Sequence, residues 1–93
     1  MRLSIEERRT IKESTTAFDP DAVVFLFGSR VHDDQRGGDI DLLIFSHRLK
    51  RRDRWSIRRR LCDILGNQKI DIVVTDDRTS PFVKLALEEA VQL

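Results

Sequence analysis

The sequence has little cysteine and no long apolar run. Cys62 is the single cysteine of the 93 residues, so one chain can form neither a disulfide nor a zinc site built on cysteines. No apolar run approaches the roughly 20 residues that a membrane span requires, and the N-terminal segment is too polar for a signal peptide. We therefore expect a soluble protein with no membrane contact in a reducing, cytoplasmic location.

An excess of charge of one sign is also missing. Seventeen basic residues nearly balance sixteen acidic ones, so the net charge of +1 does not indicate a nucleic-acid-binding protein. The hydrophobic fraction of 40% is ordinary for a globular domain. Because no linker, repeat or low-complexity segment interrupts the chain, we expect a single domain over residues 1–93.

Hydrophobic periodicity and capping residues predict an α/β (α+β) domain, a small mixed sheet packed against helices in the order α-β-α-β-α-β-α. Ser4 and Glu7 form a capping box that begins a helix ending near Ala17, and a short helical segment is expected at 30–33. Strands are predicted at 22–27, 40–45 and 70–74, and a helix at 49–65 that stops at Gly66-Asn67.

The last predicted helix begins at Ser80, as its N-cap, with Pro81 in its first position. Apolar residues recur along it at helical spacing, which predicts a broad buried stripe. These residues are Phe82, Val83, Leu85, Ala86, Ala90 and Val91.

Three aspartates lie on two of the predicted strands. Residues i and i+2 of a strand face the same side, so Asp39 and Asp41 project together, away from Ile40 and Leu42. Asp71 occupies the equivalent face of the third strand. If the two strands are neighbours, the three carboxylates converge at one end of the sheet. Two like charges 4 Å apart repel by about 4 kcal/mol at an effective dielectric constant near 20, a conflict that divalent cations such as Mg²⁺ resolve.

Gly28 ends the first predicted strand and is followed by Ser29 and Arg30. Without a Cβ, Gly28 lets backbone approach a ligand closely. Ser29 is expected to cap the short helix at 30–33, whose free N–H groups would face a phosphate, and Arg30 is a candidate phosphate partner.

Together these motifs resemble the DNA polymerase β-like nucleotidyltransferase superfamily. The shared pattern is Gly28-Ser29, nine residues, then Asp39-Ile40-Asp41, with Asp71 on the next strand. In its length the chain resembles the minimal nucleotidyltransferases, which are commonly encoded beside a HEPN-domain protein. Many such pairs act as antitoxin and toxin, the transferase moving AMP from ATP to its HEPN partner.

This resemblance implies a nucleotidyltransferase fold and a role for each motif residue. Asp39 and Asp41 would bind two Mg²⁺ ions, and Asp71 would bind the catalytic ion and help activate an acceptor hydroxyl. Gly28 and Ser29 would hold the triphosphate of the ATP substrate. A HEPN-domain protein is the implied partner and acceptor.

The segment 48–60 is densely basic, and Asp53 is its one acidic residue. A solvated helix face and a binding patch for an acidic partner, RNA or a nucleotide are both compatible with it, and nucleic acid is not favoured. Trp55 is expected to be a core or interface anchor and Cys62 a small buried apolar residue. His32 and His47 are too few and too separated for a zinc site, and we expect both at the surface. The basic residues are Arg48, Lys50, Arg51, Arg52, Arg54, Arg58, Arg59 and Arg60.

Three alternatives to protein nucleotidyl transfer stay open at the level of the sequence. The first alternative is a non-enzymatic antitoxin-like module that neutralises a partner by occlusion. The second is a transferase that acts on a small molecule, and the third is a nucleic-acid binder that uses the basic segment. Alanine at both Asp39 and Asp41 separates the first from an enzyme, because an occluding module would still neutralise its partner. Steeply salt-dependent binding would indicate the third.

Overall fold

The computed structural model describes residues 3–31, 39–66 and 68–93 of the chain. Three α-helices, four strands and one 3-10 turn lie in these ranges, so the predicted α/β class is confirmed. In chain order they are α1 (Ile5–Thr16), β1 (Val23–Phe27), the 3-10 turn (Gly28–Val31), β2 (Ile40–Phe45), α2 (Arg51–Leu65), β3 (Ile70–Thr75), α3 (Pro81–Leu87) and β4 (Val91–Gln92).

The strands form one mixed sheet in the order β3-β2-β1-β4. β2 pairs with β1 in antiparallel fashion and with β3 in parallel fashion, and β4 pairs with β1 in antiparallel fashion. β3 is therefore an edge strand, and the end of β1 lies beside the start of β2. The turn that follows β1 and the first residues of β2 and β3 consequently meet at one end of the sheet.

The two faces of the sheet are buried against different helices. On one face, Ile40, Leu42 and Ile44 pack with Ile57 and Leu61 of α2 in the larger core, which also contains Ile11 of α1. On the other face, Leu43, Phe45 and Val83 of α3 form a smaller core. Side chains alternate between the two faces along β2. Asp41 therefore lies on the α3 face, whereas its neighbours Ile40 and Leu42 lie on the opposite face.

The helix termini mostly follow the predicted capping signals. The Ser4 hydroxyl accepts from the Glu7 N–H and the Glu7 carboxylate accepts from the Ser4 N–H, both at 3.0 Å, so the capping box is confirmed. α2 begins two residues later than predicted and ends at Leu65, as predicted, with Gly66 as its C-cap at a φ of +89°. Asn67, predicted as part of that stop, lies outside the described residues.

The prediction for the last helix is wrong in two respects. α3 begins at Pro81, with Ser80 in the N-cap position but without a side-chain capping bond, and ends at Leu87. Val91 lies in β4, paired with Leu26 of β1. The predicted buried stripe is also incomplete, because Val83 is buried whereas Phe82 and Leu85 are 50% and 67% exposed.

Other single residues differ from their expected environment. Trp55 is 57% exposed and is therefore no core anchor. Cys62 is half-buried at the margin of the larger core, and its thiol lies 3.8 Å from the carbonyl oxygen of Gln68. His47 is exposed, as predicted, and its Nδ1 lies 3.5 Å from a carboxylate oxygen of Asp76. His32 lies outside the described residues.

A polar corner joins the loop before β1 to the loop after β2. The buried carboxylate of Asp19 accepts from the Ser46 hydroxyl at 2.5 Å and from the Asp21 N–H at 3.0 Å. The Ser46 oxygen in turn accepts from the backbone N–H groups of Arg48 and Leu49. The hydrogen bond from the Ser46 hydroxyl is the main cause that lowers the pKa of Asp19; burial opposes it by raising the pKa, and the Asp21 N–H lowers the pKa further.

Candidate active site

Asp41 and Asp71 are directly opposite each other on the parallel strands β2 and β3. Both lie on the α3 face of the sheet, because their neighbours Ile40, Leu42, Ile70 and Ile72 are buried in the core of the opposite face. Asp41 is half-buried and Asp71 is exposed. The predicted approach of Asp41 and Asp71 is therefore present, with Asp71 on the open side of the pair.

Gly28 lies on the other side of Asp41. Phe27 is the register partner of Asp41 in the β1–β2 pairing, and Gly28 follows it with a φ of +76°. A Cβ on Gly28 would overlap the Oδ2 atom of Asp41 and lie 3.2 Å from its Cγ. The absence of a side chain at this position thus serves two purposes, because it permits the left-handed turn and leaves room for the carboxylate.

The electrostatics of Asp41 show the cost of this arrangement. Burial is the first cause that raises its pKa, and the negative charges of Asp71 and Asp39 are the next. A hydrogen bond between the carboxyl groups of Asp41 and Asp71 raises the pKa further, whereas Lys69 lowers it. The cluster is therefore an unbalanced concentration of negative charge, and a cation near Asp41 would stabilise its ionised form.

Asp39 is the third carboxylate, and a cation is already beside it. Its Oδ2 atom lies 3.3 Å from Nζ of Lys69, and the side chains of Lys69 and Asp39 are 66% and 41% exposed. The bond to Asp39 is the first cause that raises the pKa of Lys69, and the charges of Asp39 and Asp71 add to it. Across residues 3–31, 39–66 and 68–93, no three His, Cys, Asp or Glu side chains stand in an arrangement that would hold a metal ion as they are.

The donor set nevertheless fits the chemistry of Mg²⁺. Carboxylate oxygens are hard ligands, and Mg²⁺ is commonly held by one or two carboxylates together with substrate phosphates. Asp41 and Asp71 already face each other in register. Exposed ion pairs such as that of Asp39 with Lys69 are weak, so Asp39 is able to exchange the ammonium group for another cation.

The predicted phosphate-holding residues are described in part. Gly28, Ser29 and Arg30 belong to the 3-10 turn Gly28–Val31, so a short helical segment begins directly after β1. The predicted segment 30–33 extends into 32–38, which lies outside the described residues. Arg30 donates from Nη2 to Oε1 of Gln68 at 3.1 Å, which ties the turn to the residues before β3.

Two grooves of about 330 Å³ flank the carboxylates. One lies on the Gly28 side, between Phe27 and the exposed residues Phe82 and Leu85 of α3. The other lies on the Asp71 side, where it is lined by Arg54, Trp55 and Arg58 of α2 and by residues of β3. The carboxylates thus separate two concave surfaces that differ in charge, because Glu88 and Glu89 line the first and arginines line the second.

Lys69 was not among the residues predicted for this site. Its sequence position carried a usable signal, because Lys69 is two residues before Asp71 and therefore faces the same side of β3. The pairing that places Asp41 opposite Asp71 also brings Lys69 next to Asp39. Only the register of the sheet reveals that contact.

Comparisons with known proteins agree with this geometry. A family model described as "Polymerase beta, Nucleotidyltransferase" matches residues 9–93. Among curated proteins, none is significantly similar in sequence. The chain is similar in structure to a mutant of the toxin–antitoxin MntA-HpeT, with a TM-score of 0.70 and 21% identity over 92% of this chain and 70% of that one.

A second similar structure is a complex of tri-AMPylated Shewanella oneidensis HEPN toxin with MNT antitoxin. The match has a TM-score of 0.60 and 19% identity, and covers 92% of this chain and 70% of that chain. Together the two similarities confirm the predicted nucleotidyltransferase fold. No helix in the described part of the chain has both the length and the apolar character to span a membrane.

Proposed function

This chain belongs to the polymerase beta nucleotidyltransferase family, and from this premise we propose that it transfers AMP from ATP to a hydroxyl group of a HEPN-domain protein and thereby acts as the antitoxin of that protein. The similar complex of a tri-AMPylated HEPN toxin with an MNT antitoxin supports both the transferred group and the partner. The other similar structure is also a toxin–antitoxin.

One observation carries the proposal: Asp41 lies between Gly28 and Asp71 on neighbouring strands. The turn at Gly28 offers backbone N–H groups, and the adjacent carboxylates offer ligands for cations that accompany a triphosphate. A nucleotide laid along this row would have its phosphates at Gly28 and its reacting phosphorus near the aspartates.

Each residue has a proposed role. Gly28, Ser29 and Arg30 bind and orient the triphosphate, and Asp39, Asp41 and Asp71 hold two Mg²⁺ ions. When bound, such ions neutralise the charge that develops on the attacking and leaving oxygens. Lys69 would release Asp39 when the Asp39 carboxylate exchanges the ammonium group for Mg²⁺.

The reaction is an in-line displacement. The oxygen of the acceptor hydroxyl forms a bond to the α-phosphorus while its proton passes toward the carboxylate of Asp71. The bond between the α-phosphorus and the oxygen that bridges to the β-phosphate breaks, and pyrophosphate leaves with the electron pair. The AMP-modified side chain and pyrophosphate are the two products.

Transfer of radioactive label from ATP to the HEPN-domain protein tests the proposal. With Mg²⁺ present, label in the α-phosphate should appear on the partner and label in the γ-phosphate should not. Asp39→Ala/Asp41→Ala should abolish the transfer, whereas Asp63→Ala/Asp76→Ala, which removes two exposed carboxylates elsewhere, should not. Loss of Asp39 and Asp41 relieves charge repulsion at the cluster, so the double variant is expected to fold.

A non-enzymatic antitoxin that acts by occlusion is the second candidate. The observation in its favour is the Lys69 ammonium group, which already neutralises Asp39 in the chain alone. The same double variant separates the two functions. An enzyme would keep its complex with the partner but lose neutralisation, whereas an occluding module would keep both.

A further inference from the structure

The groove between α2 and β3 has no role in the transfer as described above. It has a volume of about 330 Å³ and is lined by Arg54, Trp55 and Arg58 of α2 and by residues 70–73 of β3. Asp71 stands at its margin. We propose that this groove binds an acidic, extended segment of the acceptor protein and thereby presents the acceptor hydroxyl at Asp71, an inference that rests on the proposed function.

The direction of the reaction places the acceptor on this side. In an in-line displacement the nucleophile approaches the phosphorus from the side opposite to the leaving group. Across the sheet the order is Gly28, Asp41, Asp71. With the pyrophosphate held at Gly28, the acceptor must come over Asp71, and the surface beyond Asp71 is the groove.

Charge determines what kind of segment fits. α2 carries six arginines and two aspartates. Within the described ranges, none of these arginines lies within 4 Å of a carboxylate group. Arg54 and Arg58 are separated by one helical turn and repel each other, which mildly destabilises the helix unless an anion lies between them. An acidic partner segment would supply that anion.

The floor and the edge of the groove favour polypeptide over RNA. β3 is the edge of the sheet, and its pairing with β2 leaves the backbone N–H and C=O groups of Ile70 and Ile72 on the outer side. Such an edge accepts an extended peptide by backbone hydrogen bonds. The Arg58 guanidinium lies over one face of the Trp55 ring, 5.5 Å from the centroid, and would compete with a nucleobase for that face.

Charge reversal on one side of α2 tests the proposal, with a matched control on the other. Arg54→Glu/Arg58→Glu alters the groove, whereas Arg52→Glu/Arg59→Glu makes the same change of charge on exposed residues of the same helix that do not line it. Both variants relieve crowding of positive charge, so both are expected to fold. Urea denaturation of each variant tests whether it folds.

Two quantities are measured for each variant with the HEPN-domain protein: its dissociation constant by calorimetry without ATP, and the KM values of the transfer reaction. We expect the groove variant to weaken binding and to raise the KM for the partner about tenfold or more, as loss of charge complementarity does at interfaces. The KM for ATP should be unchanged, and the control variant should resemble the unaltered protein in both quantities. Polyglutamate should compete with the partner and not with ATP.

The outcomes distinguish the groove from the reaction. Equal binding by the groove and control variants would overturn the proposed groove, even if AMP transfer is confirmed. If the unaltered protein transfers no label but the groove variant alone loses binding, the proposed function fails while the docking surface stands. Displacement of the partner by a single-stranded RNA, with no effect of polyglutamate, would overturn the assignment to a protein segment.

Discussion

Replacement of Gly28 by alanine is the perturbation with the clearest structural consequence. The φ of +76° disfavours any residue with a Cβ, at a cost of about 1–2 kcal/mol. The added methyl group would overlap Oδ2 of Asp41, and its 3.2 Å distance from Cγ is tighter than most contacts that a Cβ makes. Asp41 is held by the β2 ladder, so its carboxylate must rotate or move.

The effect on the rate follows from that displacement. A shift on the order of 1 Å at a reacting centre costs about 100-fold in rate. We therefore expect Gly28→Ala to lower the rate of AMP transfer by about 100-fold while its free energy of unfolding falls by about 1–3 kcal/mol. Transfer of label from the α-phosphate of ATP measures the first quantity, and urea denaturation measures the second.

Gly66→Ala is the matched control. Gly66 also has a positive φ, +89°, but a Cβ there would have no atom within 4 Å. Backbone strain of this kind costs about 1–3 kcal/mol, so the control should lose stability and keep its rate of transfer. Equal rates for the two variants would refute the reasoning, because they would show that the position of Asp41 beside Gly28 does not matter for catalysis.

Three further predictions concern stability. Ser46→Ala removes the hydroxyl that donates to the Asp19 carboxylate and should lower the free energy of unfolding by about 1–3 kcal/mol in urea at pH 7. Because the pKa of Asp19 is lowered in the folded protein, this contribution is fully present above the unfolded value of about 3.9 and is lost as the pH falls through the folded value. A difference between variant and unaltered protein that does not shrink at low pH would contradict this. Arg78→Gln removes a guanidinium carbon that lies 3.9 Å from the centroid of the Phe45 ring and should cost about 0.5–1 kcal/mol, and an unchanged urea midpoint would exclude that contribution. Ile57→Ala empties a fully buried position between α2 and the sheet and should cost about 2–5 kcal/mol by the same measurement, and a loss below about 1 kcal/mol would show that the core collapses around the gap.

Local signals in the sequence predicted the elements that local interactions determine. The Ser4–Glu7 capping box is a contact between residues three apart, and it forms as predicted. The alternation of apolar and acidic residues in β2 and β3 correctly predicted which face Asp41 and Asp71 occupy. The position of Gly28 at the end of β1 was equally readable, because a glycine commonly ends a buried run.

Contacts between distant residues were the ones that the sequence left open. The pattern from Leu87 to Val91 suits a helix, yet Val91 and Gln92 pair with β1, because that edge offers unpaired backbone groups that no local pattern reveals. The bond between Lys69 and Asp39 likewise depends on the register of two strands. Phe82 and Leu85 have the periodicity of core residues. The helix α3 has only seven residues, however, and the face that it buries carries Val83, so Phe82 and Leu85 remain exposed.

The intact mass of the HEPN-domain partner, purified after coexpression with this chain, tests the central proposal most directly. With the unaltered chain, the partner should gain mass in whole units of AMP, and with Asp39→Ala/Asp41→Ala its mass should stay that of the unmodified protein. A partner that is neutralised by the unaltered chain without any gain in mass would contradict nucleotidyl transfer as the basis of the function.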